Sequence, residues 1–348
     1  MVLSYYLVKF PYTLMWRRKE KKDKLESIVF YCGDPVDHYA FAPVNKYLKN
    51  VVYATDKAYV KRFLKQKGIP FLHMPVYPKA VIMARHSAHK FPCNNIVRIG
   101  MRHGAFHFKK MISAENYNIF DAYFMTSLSD VLSGKKQGIT KGRAIGYPKL
   151  DPAYNGNLND TYMQKFSKLL KLNPDKPNVL FTATYDSSGM SAVEYWYDKL
   201  NQLTNSYNIM VTLHPWVSNK FRKVIKNTES VHYIDDYDIL PYIKVADVVV
   251  GDTSSILAEC CALDKPIITF KTTNSPRTLE KINDLIDFIS YKTSSFTGLH
   301  KMLEYALANK NEYATFRAEA NTIFFDQLDG KAGERAATEI YDLIKKKV

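Results

Sequence analysis

The segment Val245–Phe270, VADVVVGDTSSILAECCALDKPIITF, carries the reading of the fold. An apolar, β-branched run ends at Gly251-Asp252, three hydroxyl residues follow, a short helical stretch comes next, and Ile267–Phe270 is apolar again. Strand, polar turn, helix, strand is the unit of a parallel sheet, because parallel neighbours need a crossover between them. Ligands of such sheets gather beyond the carboxyl ends of the strands. Free N–H groups and the dipole at a helix start favour phosphate oxygens there. Asp252 or Thr253 could simply cap the helix, but four polar residues in a row exceed what one cap needs. Asp252, Thr253, Ser254 and Ser255, with Glu259 one turn further on, are therefore candidates for holding a phosphate-bearing donor.

The same alternation extends in both directions. Upstream, residues 27–33, 51–55, 79–85, 95–101, 122–127 and 142–151 read as short buried strands, with helices predicted at 38–50 and 57–68, the latter closed by Gly68. The proline-bearing connector NPDKPN, 173–178, marks a composition break, and strands resume at 179–185, 209–215, 231–235 and 266–270. Helices are predicted at 193–206, 296–311 and 333–347. Two α/β halves of similar size give the expected organisation: a segment 1–24, a Rossmann-like domain 25–152 and a second one 153–348, whose final helix could pack back on the first. No GxGxxG fingerprint supports a dinucleotide, and no cofactor is expected.

Composition narrows the class of partner. The 348 residues carry a net charge of +15, with 25 Tyr and 19 Phe, which implies an acidic partner such as a phosphorylated substrate, an anionic membrane or nucleic acid. Basic residues after Lys24 are dispersed and no RNA-binding motif is present, so nucleic acid ranks last. Four cysteines without a CxxC pair predict a reduced, cytoplasmic setting and no metal site.

The beginning of the chain, MVLSYYLVKFPYTLMW, is aromatic and apolar, and RRKEKKDK follows it. Its charge order is wrong for an export signal, and it is shorter than the roughly 20 residues a spanning helix needs. Tyr5, Tyr6, Phe10 and Trp16 beside Arg17, Arg18 and Lys19 suit a segment lying in an anionic leaflet. A helix packed on the protein's own core is the plainer alternative.

Other strand ends hold the remaining candidates. IVRIGM runs into His103-Gly104, where glycine lets a ligand approach the backbone and Arg102, Lys109 and Lys110 favour a neutral imidazole suited to a general base. His107 is a weaker candidate. Gly146, Tyr147 and Pro148 follow another strand, Thr182 and Thr184 lie along the next, and His214 stands where a buried run exits into Pro215. A lone histidine at a strand end is more often a packing residue; several strand ends with such signatures outweigh any one.

In order, MRHGAF, IGYPKLD, TLHPW, the Val245–Phe270 segment and DQLDGKAGERA resemble the CDP-glycerol glycerophosphotransferases, over roughly residues 28 to 346. The resemblance implies a GT-B fold, two Rossmann-like domains facing a central cleft, and an enzyme at the cytoplasmic face of the membrane. It would transfer an alditol phosphate from a CDP-linked donor to a lipid-linked glycan in teichoic acid or capsule synthesis. It also implies that His103 is the base on the acceptor hydroxyl, that His214 contacts the transferring or leaving phosphate, that Thr253–Ser255 hold phosphate oxygens, and that Gly146–Pro148 line the cleft. Where the family often has PTWR, this chain has ATYDSS. The stretch from Leu263 onward is also similar to UDP-N-acetylglucosamine 2-epimerases, so a UDP-sugar enzyme using Asp252 or Glu259 is the alternative.

Overall fold

The computed structural model describes residues 3–105, 111, 113–272 and 282–347, with the side chains of 3–7, 282 and 283 excepted. His107, Lys109 and Lys110 lie outside the described residues. The chain divides into two compact units, one of residues 1–103, 111–151 and 327–348, the other of 104–110 and 152–326.

The first unit is built on seven strands: β1 (Glu26–Tyr31), β2 (Val51–Thr55), β3 (Phe71–His73), β4 (Pro78–Met83), β5 (Val97–Met101), β6 (Ala122–Met125) and β7 (Gly142–Ala144). They pair in the order β3-β2-β1-β4-β5-β6-β7, every pair parallel. A parallel sheet must be covered on both faces, and the alternation along β1 shows how. Ile28, Phe30 and Cys32 pack with Phe41 and with Ala336, Ala337 and Ile340 of the closing helix Ala332–Lys347. Val29 and Tyr31 face the other way, into a core completed by Tyr12 and Trp16 of the first helix, Leu3–Glu20.

The second unit repeats the plan with β8 (Asn178–Ala183), β9 (Asn208–Leu213), β10 (Val231–Tyr233), β11 (Val248–Gly251), β12 (Ile267–Phe270) and β13 (Tyr291–Thr293). Their order is β10-β9-β8-β11-β12-β13, again all parallel. Strand order reverses between β1 and β4 in one unit and between β8 and β11 in the other. Those switch points are where an open α/β sheet leaves a crevice for ligand.

Two edge strands escaped the sequence reading, since β3 and β13 are three residues long and lack an apolar run. The helix expected over 193–206 is broken. Val193, Trp196, Leu200 and Leu203 are buried at helical spacing, but only Val193–Trp196 is α-helical, with a 3-10 turn at Leu200–Gln202. Asp198, Asn201, Thr204 and Asn205 between them compete for the backbone through their side chains. The strand expected over 142–151 ends at Ala144, and Pro148–Leu150 form a 3-10 turn instead.

Candidate functional site

At the switch point of the first unit, β4 ends at Met83 and Ala84-Arg85 follow. The Ala84 carbonyl lies 2.9 Å from His103 Nδ1, just beyond β5. A carbonyl can only accept, so Nδ1 carries the proton and Nε2 of the neutral ring is left with its lone pair. Part of the ring is open to solvent. Burial of the rest, and then the positive field of Arg85, Arg102 and Lys149, lower its pKa to about 3, against the opposing pull of the Ala84 carbonyl. His103 is therefore an imidazole kept neutral, with its proton on Nδ1 and its lone pair on Nε2.

Arg85 is a site residue that the sequence reading missed. Its Nε is 3.2 Å from Asp37 Oδ1 and its Nη2 is 3.7 Å from Asp34 Oδ2. Asp37 is wholly buried, and its Oδ2 accepts from the N–H groups of Gly33 and Asp34 at 2.9 and 3.0 Å. Burial pushes its carboxyl up to about 6, with Arg85 acting in the opposite direction. Asp34-Pro35-Val36-Asp37 is legible as a capping box, but the partner 48 residues away is not.

Gly146, Tyr147 and Pro148 come to the same unit as His103 in a different role from the one expected. Tyr147 and Pro148 are buried, and the Tyr147 hydroxyl donates to the His103 carbonyl at 2.9 Å. Gly146 has φ +83°, and a Cβ there would meet Arg335 Nη2 at 2.9 Å and Ala332 Cβ at 3.1 Å. Asp151 accepts from the N–H groups of Ala332 and Gly333 at 3.1 and 2.7 Å. The Gly-Tyr-Pro segment thus seats the closing helix and steadies His103 from behind, rather than lining a ligand site with its side chains.

The second switch point gathers most of the donor candidates, and separates them into two groups. Asp252 is fully buried and braces the loop after β8: it accepts from Thr184 N at 2.9 Å, Thr184 Oγ1 at 2.9 Å and Ala192 N at 3.0 Å. Burial pushes its carboxyl up to about 6, and the hydrogen bonds from Ala192, Thr184 and Ser254 oppose that rise. Thr182, Thr184 and Glu259 are 3%, 3% and 4% exposed. Asp252 and Thr184 are bonded to each other and brace the loop, while Thr182 and Glu259 are buried beside them.

Thr253, Ser254 and Ser255 are half-buried just beyond β11. Ser255 stands at the N-cap of the helix Ile256–Ala262, yet no side chain makes a capping bond there. Thr253 Oγ1 is buried with no hydrogen-bond partner among the described residues. Simple capping does not account for these hydroxyls. Gly104 groups with this unit, and a Cβ on it would come within 3.6 Å of Ser255 Oγ.

His214 leaves β9 with its N–H bonded to the Ala183 carbonyl at 3.2 Å. Its Nδ1 accepts the Trp216 backbone N–H at 3.2 Å. A backbone amide can only donate, so the neutral ring carries its proton on Nε2, the reverse of His103. Arg222, also missed from sequence, holds the loop through the His214 carbonyl at 2.5 Å, the Val217 carbonyl at 3.0 Å and Tyr233 Oη at 2.6 Å. Tyr185 and Trp216 flank the imidazole at centroid distances of 5.1 and 5.3 Å.

The first helix divides into two faces. Trp16 is 3% exposed and donates from Nε1 to the Pro78 carbonyl at 2.8 Å, and Tyr12 is bonded to the Val76 carbonyl at 2.5 Å. Trp16 is therefore corrected from membrane residue to core anchor. Phe10, Leu14 and Met15 stay exposed, as do Arg17 and Arg18, while Lys19 is half-buried. The side chains of Tyr5 and Tyr6 lie outside the described set. Among the described residues no helix is long and apolar enough to cross a membrane, and no cluster of three or more His, Cys, Asp or Glu could hold a metal. The four cysteines are buried and unbridged.

Two parallel Rossmann-like sheets, each with its polar residues beyond the strand ends at the switch point, define the GT-B class of fold. A variant of the wall teichoic acid polymerase TagF superposes over 98% of both chains with a TM-score of 0.75 at 16% identity. The UDP-bound MnaA of S. aureus follows with a TM-score of 0.65 at 13% identity, over 92% of this chain and 97% of that one. By sequence, this chain belongs to the CDP-glycerol:poly(glycerophosphate) glycerophosphotransferase family, whose model matches residues 100–342. A teichoic acid poly(ribitol-phosphate) polymerase of Bacillus spizizenii is 27% identical over 179 residues, 48% of this chain and 28% of that protein. The ribitol-phosphate polymerase TarK of Staphylococcus aureus is 21% identical over 278 residues, 75% of this chain and 52% of its own length. The chain thus spans between 28% and 52% of the length of these curated relatives.

Proposed function

We propose that the protein transfers an alditol phosphate, of the glycerol phosphate type, from a CDP-linked donor to a hydroxyl of a lipid-linked glycan or polymer in teichoic acid or related cell-surface polymer synthesis. The observation that carries this reading is the opposite tautomer of the two histidines. His103 presents a lone pair on Nε2 and suits a general base; His214 presents an N–H on Nε2 and suits a phosphate oxygen. In the step, the acceptor oxygen attacks the β-phosphorus and gives its proton to His103 Nε2. The bond from the β-phosphorus to the bridging oxygen breaks, CMP leaves, and a phosphodiester forms. His214 and the N–H and hydroxyl groups of Thr253–Ser255 would steady the phosphate charge, since phosphoryl transfer depends on positioning and electrostatics. Attachment at the cytoplasmic face of the membrane would use the outer face of the first helix.

The test is CMP release from CDP-glycerol and CDP-ribitol, with UDP-N-acetylglucosamine as control. His103→Ala and His214→Ala should each lower kcat by about 10²–10⁴. His214→Gln, which keeps an N–H near the Nε2 position, should retain more activity than His214→Ala. UMP or UDP release from the UDP-sugar, with the CDP-alditols inert, would sink the reading.

A further inference from the structure

We propose that Trp216 forms the platform on which the donor's alditol lies, and so sets which alditol the enzyme accepts. The inference rests on the CDP-alditol reading above. Trp216 is 68% exposed, whereas Trp16 and Trp196, the other two tryptophans of the chain, are 3% and 0% exposed.

This exposed ring is held in place. Its backbone N–H is bonded to His214 Nδ1 at 3.2 Å, and Arg222 fastens the carbonyls on either side, those of His214 and Val217. Tyr185 closes a triangle of rings, 5.4 Å from Trp216 and 5.1 Å from the imidazole. Fixed aromatic surface left in water is costly, and an amphipathic ligand can cover it.

Distance selects the ligand group. With the transferring β-phosphate on His214, its oxygen would sit about 3 Å from Nε2. The indole centroid is 5.3 Å from the imidazole centroid, nearly perpendicular to it at 73°. A carbon chain esterified to that phosphate reaches this far within two or three bonds of about 1.5 Å. The cytosine, separated by a second phosphate and a ribose, falls beyond it. The C–H faces of a polyol would lie on the indole, and Nε1–H can donate to one of its hydroxyls.

All three tryptophans emit, so Trp216 is read as the ligand-induced emission change that is lost in Trp216→Phe. CDP-glycerol and CDP-ribitol should each change the emission of the wild-type protein, and CMP should not. Trp216→Ala should raise KM for the preferred CDP-alditol roughly three- to tenfold and bring the kcat/KM values of the two alditols together. Trp216→Phe should restore part of the preference, and the affinity for CMP should be unchanged in both variants. An equal emission change with CMP would make the ring a base platform and overturn the proposal. So would an unaltered alditol preference in Trp216→Ala, or CMP release by the wild type without any emission change on donor binding. Absence of CMP release from every CDP-alditol would instead remove the reading on which the proposal rests, and the proposal with it.

Discussion

At the scale of single residues, the chemistry is set by groups that never touch a ligand. The Ala84 carbonyl and the Trp216 amide fix which nitrogen of each imidazole bears the proton. Arg85 lies close enough to His103 to oppose its protonation, and burial acts in the same direction. A histidine with its pKa lowered stays neutral as pH falls through the ordinary imidazole range near 6.5. The acidic limb of kcat/KM should therefore lie well below pH 6 in the wild-type protein. Arg85→Gln should move that limb upward, toward the ordinary range; a limb that stays put would remove Arg85 from the electrostatics of the site.

Asp252 offers a second residue-scale test. With its folded pKa raised to about 6, the native chain keeps a proton between about pH 4 and 6 that the unfolded chain releases. The contribution of this group to stability therefore falls as pH rises across that window and is level above it. Asp252→Asn turns an amide donor toward the N–H groups of Thr184 and Ala192, at a cost of about 1–3 kcal/mol at pH 7. The advantage of wild type over this variant in urea unfolding should grow as pH falls from about 6 to 4, because the variant lacks this titration.

Among the elements, the first helix does two jobs with two faces. Tyr12 and Trp16 complete the core over β1 and β4, so Trp16→Ala should cost about 3–5 kcal/mol. Removing residues 1 to 24 would strip that sheet face, and a loss of activity in the truncated chain would report unfolding as readily as lost membrane contact. A cleaner experiment changes the outward face alone. Phe10→Ser with Leu14→Ser should leave the melting temperature within a few degrees of wild type and weaken co-sedimentation with anionic liposomes. Arg17→Gln with Arg18→Gln should do the same by roughly 1 kcal/mol per charge, an effect that salt would abolish. Unchanged liposome binding in both double variants would assign this face to another partner.

For the molecule as a whole, the chain's last helix belongs to its first unit. Asp151 anchors that helix to the first unit, accepting two N–H groups from its start, 181 and 182 residues away. Its carboxyl is pushed up to about 6 by burial, against those same hydrogen bonds. Asp151→Ala should leave both donors unsatisfied and expose the closing helix to proteolysis, with hydrogen exchange rising over residues 332–347 and not over β8–β13. Exchange rising equally in both units would show that the contact does not act locally.

How much of this was legible in the sequence depends on the range of the interaction. The βαβ alternation, the two halves, the position of His103 and His214 at strand ends, and the hydroxyl run at 253–255 all follow from periodicity and local chain chemistry. Edge strands such as β3 are too short to show a period, and the break after Trp196 was hidden behind a helical spacing that the core imposes on a non-helical chain. What tertiary structure alone decided is which polar residues face outward. Asp252 and Thr184 share the composition of a ligand site with Ser254 and Ser255, yet burial made the first two partners in bracing a loop. Trp16 and Phe10 are both aromatic residues of one helix, but only the sheet beneath them determines that one is a core anchor and the other a surface group. Arg85 and Asp151 act across gaps of 48 and 181 residues that no local pattern encodes, because only the folded chain brings those partners together. The sequence by itself determined the class of fold and the strand ends at which its polar candidates stand; the direction of each hydrogen bond, and with it the tautomer of each histidine, came from the packing of the folded chain.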